Sequence, residues 1–298
     1  VKIVVVDSSR VVLRIIAGLL EPRGHSVASF TDSREALDFV REDMGVEAVI
    51  TSLETRPIGG IELCWSLRLI ANANRPLCII AMSSLANSRN LSEALDSGAD
   101  DFISKPPIPE ELHARLRAGQ RLTMMQQELI RLAENDVLTG LLNRRAFLAR
   151  LNALREAHGG CERQAPALVL ADLDNFKQIN DEFGHDIGDE ALRRTGEIFS
   201  EEAGAEEGIA ARFGGEEFVV ALPGRSCEDA MEIADRLRRA VARIAITADA
   251  GTVRFTSSFG VGEWRMNETL ESAFKRTDAA LYRAKKHGRD RVVAEANG

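Results

Sequence analysis

The sequence predicts an α/β protein: a doubly wound, five-stranded parallel sheet, a helical connector, then an α+β domain on a mainly antiparallel sheet. Three observations predict it. Over residues 1–117, strand-like apolar runs alternate with helix-spaced apolar residues five times. Ala118, Leu122, Met125, Leu129 and Leu132 then recur at alternating spacings of four and three, a heptad seam of little more than two repeats. Beyond residue 136, short apolar runs flank Gly214-Gly215, which reads as a tight hairpin turn needing positive φ.

Length and composition agree. A chain of 298 residues exceeds one typical domain, and two domains of ordinary size can each bury a core. The 45% hydrophobic and 28% charged content is that of a soluble globular protein. No apolar run approaches the roughly 18 residues that span a bilayer, so a cytoplasmic protein without a membrane partner is expected. A net charge of −8 argues against a nucleic-acid binder, whose affinity would come from Lys and Arg, while leaving room for a local basic patch that holds a small nucleotide. Cys64, Cys78, Cys161 and Cys227 have no paired metal-ligand spacing and read as reduced, packed thiols. The chain opens at Val1 with neither Met nor signal peptide, so an initiator or short leader is expected before it.

In the first module the expected strands are 2–6, 26–30, 48–51, 77–82 and 101–103, and the helices 11–20, 34–41, 61–71, 91–97 and 110 onward. Ligands of such sheets bind at the carboxyl ends of the strands, which directs attention to Asp7, Ser52, Ser83 and Lys105. This arrangement resembles a response-regulator receiver domain over residues 1–117. Lys105-Pro106 matches the family's lysine before a commonly cis proline, Ser83 its hydroxyl switch and Phe102 its aromatic switch position. The acidic site departs from the pattern. The acidic pair after the first strand is Asp7-Ser8, and Ser52 stands at the phosphoacceptor position if Gly60 is the anchor, or Leu53 if Pro57 is. Nearby Glu54 offers no obvious substitute. A degenerate receiver that is not phosphorylated on aspartate is expected, with its upstream partner unknown.

The connector, 118–135, reads either as a helix packing on its own domain or as a short parallel coiled coil continuing the receiver's last helix. A following domain that needs a partner favours the coiled coil, and with it a homodimer through receiver and connector.

In the second domain, 136–298, helices are expected at 144–157, 176–183, 189–201, 226–243 and 269–287. Strands are expected at 167–171, on both sides of the Gly-Gly turn, at 253–261 and at 291–294. Glu216-Glu217 at the start of the outgoing hairpin strand is either a solvated hairpin end or a cation site. A second strand running into Asp172-Leu173-Asp174 favours the cation, because Mg²⁺ takes one or two carboxylates together with substrate phosphates.

With the stretches Asp136-Val137-Leu138-Thr139-Gly140-Leu141-Leu142-Asn143-Arg144-Arg145, Asn180 to Asp189 and Ala279 to Asp290, residues 136–298 resemble a GGDEF domain, the diguanylate cyclase, in its Gly-Gly-Glu-Glu-Phe variant. The resemblance implies a palm-like fold that condenses two GTP into cyclic di-GMP with release of two pyrophosphates, each domain of a homodimer holding one GTP. It implies Mg²⁺ or Mn²⁺, two per half-site, on Asp172, the Leu173 carbonyl, Glu216 and Glu217, with Glu216 either base or metal ligand. Asn180 and Asp189 match the guanine-reading pair. Phe176 and Lys177 lie where backbone amides and a cation approach phosphates, with Lys177 able to stabilise transition-state charge, and Lys285 and Arg289 match the basic pair on the triphosphate. Asn175 replaces a common Phe. The family's product-inhibition Arg-x-x-Asp is absent from Ala205-Glu206-Glu207-Gly208, which leaves Arg238, a secondary contact, without its partner. The rival reading is an inactive GGDEF module that binds GTP or a protein.

Overall fold

The computed structural model describes residues 1–71, 75–84, 88–157, 166–248, 251–265 and 268–296. The chain divides into two compact units, Val1–Arg131 and Leu132–Gly298.

In the first unit β1 (Lys2–Val6), α1 (Arg10–Leu20), β2 (Ser26–Phe30), α2 (Ser33–Glu42), β3 (Val46–Ser52), α3 (Gly60–Ala71), β4 (Cys78–Ser83), α4 (Ser88–Asp96), β5 (Asp101–Ser104) and α5 (Pro109–Glu134) follow one another. The strands lie parallel in the order β2-β1-β3-β4-β5. Alternation along β1 feeds two cores, since successive strand residues face opposite sides. Ile3 and Val5 pack with Leu13 and Ile16 of α1 and Leu112 and Leu116 of α5, whereas Val4 and Val6 pack with Leu37 of α2 and Leu63 of α3. Helix starts are capped as the side chains suggest: Ser9 Oγ accepts from the Val12 amide, and Asp32 accepts from the amides of Arg34 and Glu35. The predicted doubly wound sheet is present.

Helix α5 runs unbroken for 26 residues through the predicted connector. Leu122, Met125, Leu129 and Leu132 of the heptad seam are all exposed.

The second unit continues with β6 (Leu142–Asn143), α6 (Arg144–Ala157), β7 (Ala167–Leu173), α7 (Phe176–Phe183), α8 (His185–Ala205), β8 (Ile209–Gly214), β9 (Glu217–Leu222), α9 (Cys227–Ala242), β10 (Ile246–Ala248), β11 (Gly251–Val253), β12 (Ser257–Glu263), α10 (Leu270–Lys286) and β13 (Val292–Ala294). The main sheet has the order β13-β12-β7-β9-β8-β6; its three central pairings are antiparallel and the two outer ones parallel. Val169, Ala171 and Leu173 of β7 face a core with Phe199 of α8 and Leu237 of α9, and Leu168 faces another with Phe147 of α6 and Ala273 of α10.

Two expectations are corrected, and two short strands are added. The strand expected over 253–261 is two strands, because residues 254–256 leave the ladder and Thr256 binds Asp174 through both its carbonyl and its hydroxyl. Helix α8 begins at His185, four residues before the expected start. Gly184 and Gly188 mask it in sequence, and tertiary packing of buried Gly188 outweighs glycine's poor helix propensity. The short strands β6 and β10 had no sequence signal of their own. Cys64 and Cys78 are buried free thiols pushed up to about 12 by burial, and Cys227 is half-buried; Cys161 lies outside the described residues.

Candidate active site

Hairpin β8–β9 carries the acidic motif. Its turn uses positive φ at Gly214 (152°) and Gly215 (50°), conformations that L side chains rarely adopt. Arg212 straps the turn by donating from Nε to the Gly215 carbonyl (2.9 Å), and its Nη1 pairs with Asp136 Oδ1 (3.0 Å). Asp136 in turn accepts from the Thr139 amide and hydroxyl, so the entry motif of the domain braces the hairpin.

Strand β9 lies beside β7 with Glu217 directly opposite Asp172. Directly opposed residues of an antiparallel pair project on the same face, so these two carboxylates share one side of the sheet. The Leu173 amide donates to the Glu216 carbonyl (3.3 Å), which brings the turn residue to the end of β7. Burial pushes the Asp172 carboxyl above its usual range; Lys285 pulls it down, and the charges of Glu216 and Glu217 push it up again.

Lys285 reaches Asp172 because α10 lies against β12. A Cβ on Gly260 of β12 would collide with the Thr277 carbonyl and the Leu281 amide, so only glycine permits this approach. Lys285 stands one helical turn beyond Leu281, and its Nζ lies 2.7 Å from Asp172 Oδ2.

Asn175 immediately precedes helix α7, and its φ of 55° lies in the left-handed region. Asn tolerates that region better than Phe does, so the departure from the common Phe suits the turn. Phe176 is buried and Lys177 exposed. Asn180 of α7 and Asp189 of α8 are both half-buried. A Cβ on Gly188 would run into Asn180 Oδ1 and sit 3.3 Å from the Phe176 ring, so Gly188 is the seat of the Asn180 carboxamide, one residue from Asp189.

Asp174 entered the sequence reading only as the second acid of the Asp172-Leu173-Asp174 run and was given no site role of its own. It is 5% exposed and accepts from Thr256 Oγ1 (2.7 Å), Ser258 Oγ (2.7 Å) and the Asp290 amide (3.1 Å). One carboxylate thereby ties the β7–α7 turn, the start of β12 and the turn carrying Arg289 together. The partners lie 82 to 116 residues away in sequence, so no local signal could have shown this. Arg289 is exposed with φ of 60°, and Arg238 is engaged by Asp235 and by Asp290 (2.8 Å).

A profile of the family described as "Diguanylate cyclase, GGDEF domain" matches residues 133–291, and one described as "Response regulator receiver domain" matches residues 3–117. The chain belongs to the GGDEF family. The chain is similar to the response regulator PleD of Caulobacter vibrioides, 36% identical over 266 residues, which are 84% of this chain and 57% of PleD. Diguanylate cyclase DgcM of Escherichia coli is 41% identical over 173 residues, 57% of this chain and 40% of DgcM. The chain thus spans about half the length of these relatives. The solved coiled coil and GGDEF domain of DgcB from Caulobacter crescentus, in complex with c-di-GMP, superposes with a TM-score of 0.54 at 32% identity, covering 61% of this chain and 98% of that one.

In the receiver domain the four strand-end positions converge. Lys105 Nζ lies 2.6 Å from Asp7 Oδ2, as a charge pair off the hydrogen-bonding line, and Lys105 donates to Ser52 Oγ. Ser52 and Ser83 are fully buried and Asp7 is nearly so, whereas Ser8 is exposed with its hydroxyl 3.4 Å from the Glu54 carbonyl. Lys105-Pro106 is cis, as the resemblance implies. Phe102 is buried. The group at the centre of this cluster is Glu54, which the sequence reading set aside.

Proposed function

We propose that this chain is a diguanylate cyclase that condenses two GTP into cyclic di-GMP with release of two pyrophosphates. The observation that carries this reading is the register pair Asp172–Glu217, two carboxylates on one face at the end of β7 beside the Glu216 turn. Burial is the main cause of the raised Asp172 carboxyl, and the negative charges of Glu216 and Glu217 add a smaller repulsion to it. A divalent cation relieves such repulsion. Among the described residues no three carboxylate, imidazole or thiolate groups already converge at metal-binding distance. The opposed carboxylates of Asp172 and Glu217, with the Leu173 carbonyl and Glu216 beside them, nonetheless fit Mg²⁺ or Mn²⁺, because substrate phosphates complete the shell of such ions.

In this reading Asp172, the Leu173 carbonyl, Glu216 and Glu217 hold the metal, two ions per half-site, which would neutralise phosphate charge. Asn180 and Asp189 select guanine: a carboxylate accepts from N1–H and the 2-amino group, which adenine does not present together. Phe176 and Lys177 meet the phosphates at the start of α7, where amides and helix dipole favour an anion. Lys177, Lys285 and Arg289 supply positive charge to the triphosphate, and Glu216 takes the 3′-hydroxyl proton or shares the metal. Lys285, paired with Asp172 in the structure, would turn towards phosphate on GTP binding.

One domain holds one GTP, so the reaction requires two copies facing each other. The exposed Leu122, Met125, Leu129 and Leu132 support a parallel connector pairing in a homodimer. No described helix is long and apolar enough to cross a membrane, in keeping with action in the cytoplasm on GTP. Product inhibition is expected to be weak. Ala205 and Gly208 stand where the family carries its inhibitory arginine and aspartate, and Glu206 between them is paired with Arg225 and Arg236.

Incubation of the purified chain with GTP and Mg²⁺, with product identified by mass spectrometry, tests the assignment. Cyclic di-GMP is the expected product; GTP binding without turnover would instead establish the non-catalytic module.

A further inference from the structure

We propose that Glu54 is the resident ligand of an oxyanion site in the first domain. Ser52, Ser83, the Ser84 backbone amide and Lys105 form the site, its ligand class is a carboxylate or phosphate group, and the chain fills it with its own side chain.

Both carboxylate oxygens are engaged twice. Oε1 accepts from Ser83 Oγ at 2.6 Å and from the Ser84 amide at 3.1 Å. Oε2 accepts from Ser52 Oγ at 2.7 Å and from Lys105 Nζ at 2.9 Å. The donors come from the ends of β3 and β4 and from the residue after β5, adjacent strands of a parallel sheet, where ligands of such sheets bind. A local turn delivers the side chain: the Glu54 amide donates to Ser52 Oγ at 3.0 Å, which aims residue 54 back over the strand it has just left. Buried polar groups require partners, and the fully buried Ser52 hydroxyl finds one in Glu54.

The arrangement also blocks chemistry at Ser52. Its hydroxyl gives its one proton to Glu54 and accepts from Lys105 and from the Glu54 amide, so its oxygen is not presented to a phosphoryl donor. Lys105 already faces two carboxylates, Asp7 and Glu54. An incoming phosphate would have to displace an attached carboxylate whose effective concentration is high. The first domain therefore stays in one anion-filled state whether or not a phosphodonor is present. Taking Glu54 away should leave an ammonium, two hydroxyls and an amide aimed at one point, which is an open site for a free oxyanion.

The test uses the full chain and inorganic phosphate at constant ionic strength, read by calorimetric titration and by the phosphate dependence of thermal unfolding. Wild-type protein should show no saturable response. Folded Glu54→Ala should bind phosphate about tenfold or more tightly than wild type does, the equivalent of one charge-assisted hydrogen bond. Adding Lys105→Ala should abolish the gain. Glu54→Gln, which keeps the shape but not the charge, should gain phosphate binding in the same direction and decides the question if the alanine variant does not fold. Phosphate binding by wild type equal to that of Glu54→Ala would overturn the proposal, as would folded variants that ignore phosphate. GTP turnover does not enter the readout, so failure here is separate from failure of the cyclase assignment.

Discussion

Lys285 Nζ stands 2.7 Å from Asp172 Oδ2 at the point where Asp172 also faces Glu217 across the β7–β9 pair. A cation from the last helix thus holds a carboxylate assigned to the metal. If that assignment is right, Asp172→Ala and Glu217→Ala each lower GTP turnover by more than about 100-fold, since even outer partners of metal sites are worth 10–100-fold. Lys285→Ala leaves Asp172 without its counter-charge and should raise the KM for GTP. Steady-state pyrophosphate release measures all three, and near-normal turnover in the carboxylate variants would remove the metal site from β7.

Gly188→Ala tests the guanine assignment without touching the pair itself. The new methyl group meets the Asn180 carboxamide, which must move. A displacement of about 1 Å can cost a positioned site up to about 100-fold. GTP turnover is expected to fall by about tenfold or more while circular dichroism stays that of wild type; unchanged kinetics would mean that Asn180 does not contact the base.

Asp174→Ala should weaken both fold and site. It leaves the buried Ser258 hydroxyl, and the part-buried Thr256 hydroxyl and Asp290 amide, without their acceptor, and the buried group alone is worth about 1–3 kcal/mol. Urea unfolding of the second unit's transition reads the stability term. Asp174→Asn keeps one acceptor oxygen and should recover part of it; equal losses in the two variants would contradict the hydrogen-bond account.

The acid limb of stability should report Glu54. Despite the opposing cost of burial, hydrogen bonds from Ser83, Lys105 and Ser52 hold its carboxyl at about 2, below the ordinary 4.5. A depressed carboxyl contributes stability in full above its unfolded value and loses it as pH falls towards its folded value. The window is therefore about 4.5 down to about 2. Carboxyl-carbon NMR should place its midpoint near the lower end, and Glu54→Gln should flatten the stability profile across that range. A midpoint near 4.5 would show that the four donors do not bind it.

Leu122→Glu combined with Leu129→Glu places charge on the exposed seam of α5. Sedimentation should show a weaker dimer, and turnover per chain should fall with it at low protein concentration. A monomeric variant with full activity would refute the half-site arrangement.

Much of this was legible in the chain because the signals were local. Alternating apolar runs such as Lys2–Val6 and Ala167–Leu173 mark strands whatever surrounds them, and Gly214-Gly215 marks a turn because only glycine takes that backbone freely. The chemical motifs were legible for the same reason, each lying within a few consecutive residues, so the family could be recognised before any contact was seen. Tertiary structure alone decided the contacts that tie these pieces into sites. Register set Glu217 opposite Asp172, a choice that a one-residue slip would reverse. Close packing at Gly260 set the height of Lys285, and distant hydroxyls gave Asp174 its partners. Glu54 is the sharpest case: in sequence it is one acid in a loop, and only the convergence of three strand ends makes it a ligand, because hydrogen bonds act over ångströms and the chain alone does not say which residues will be that near.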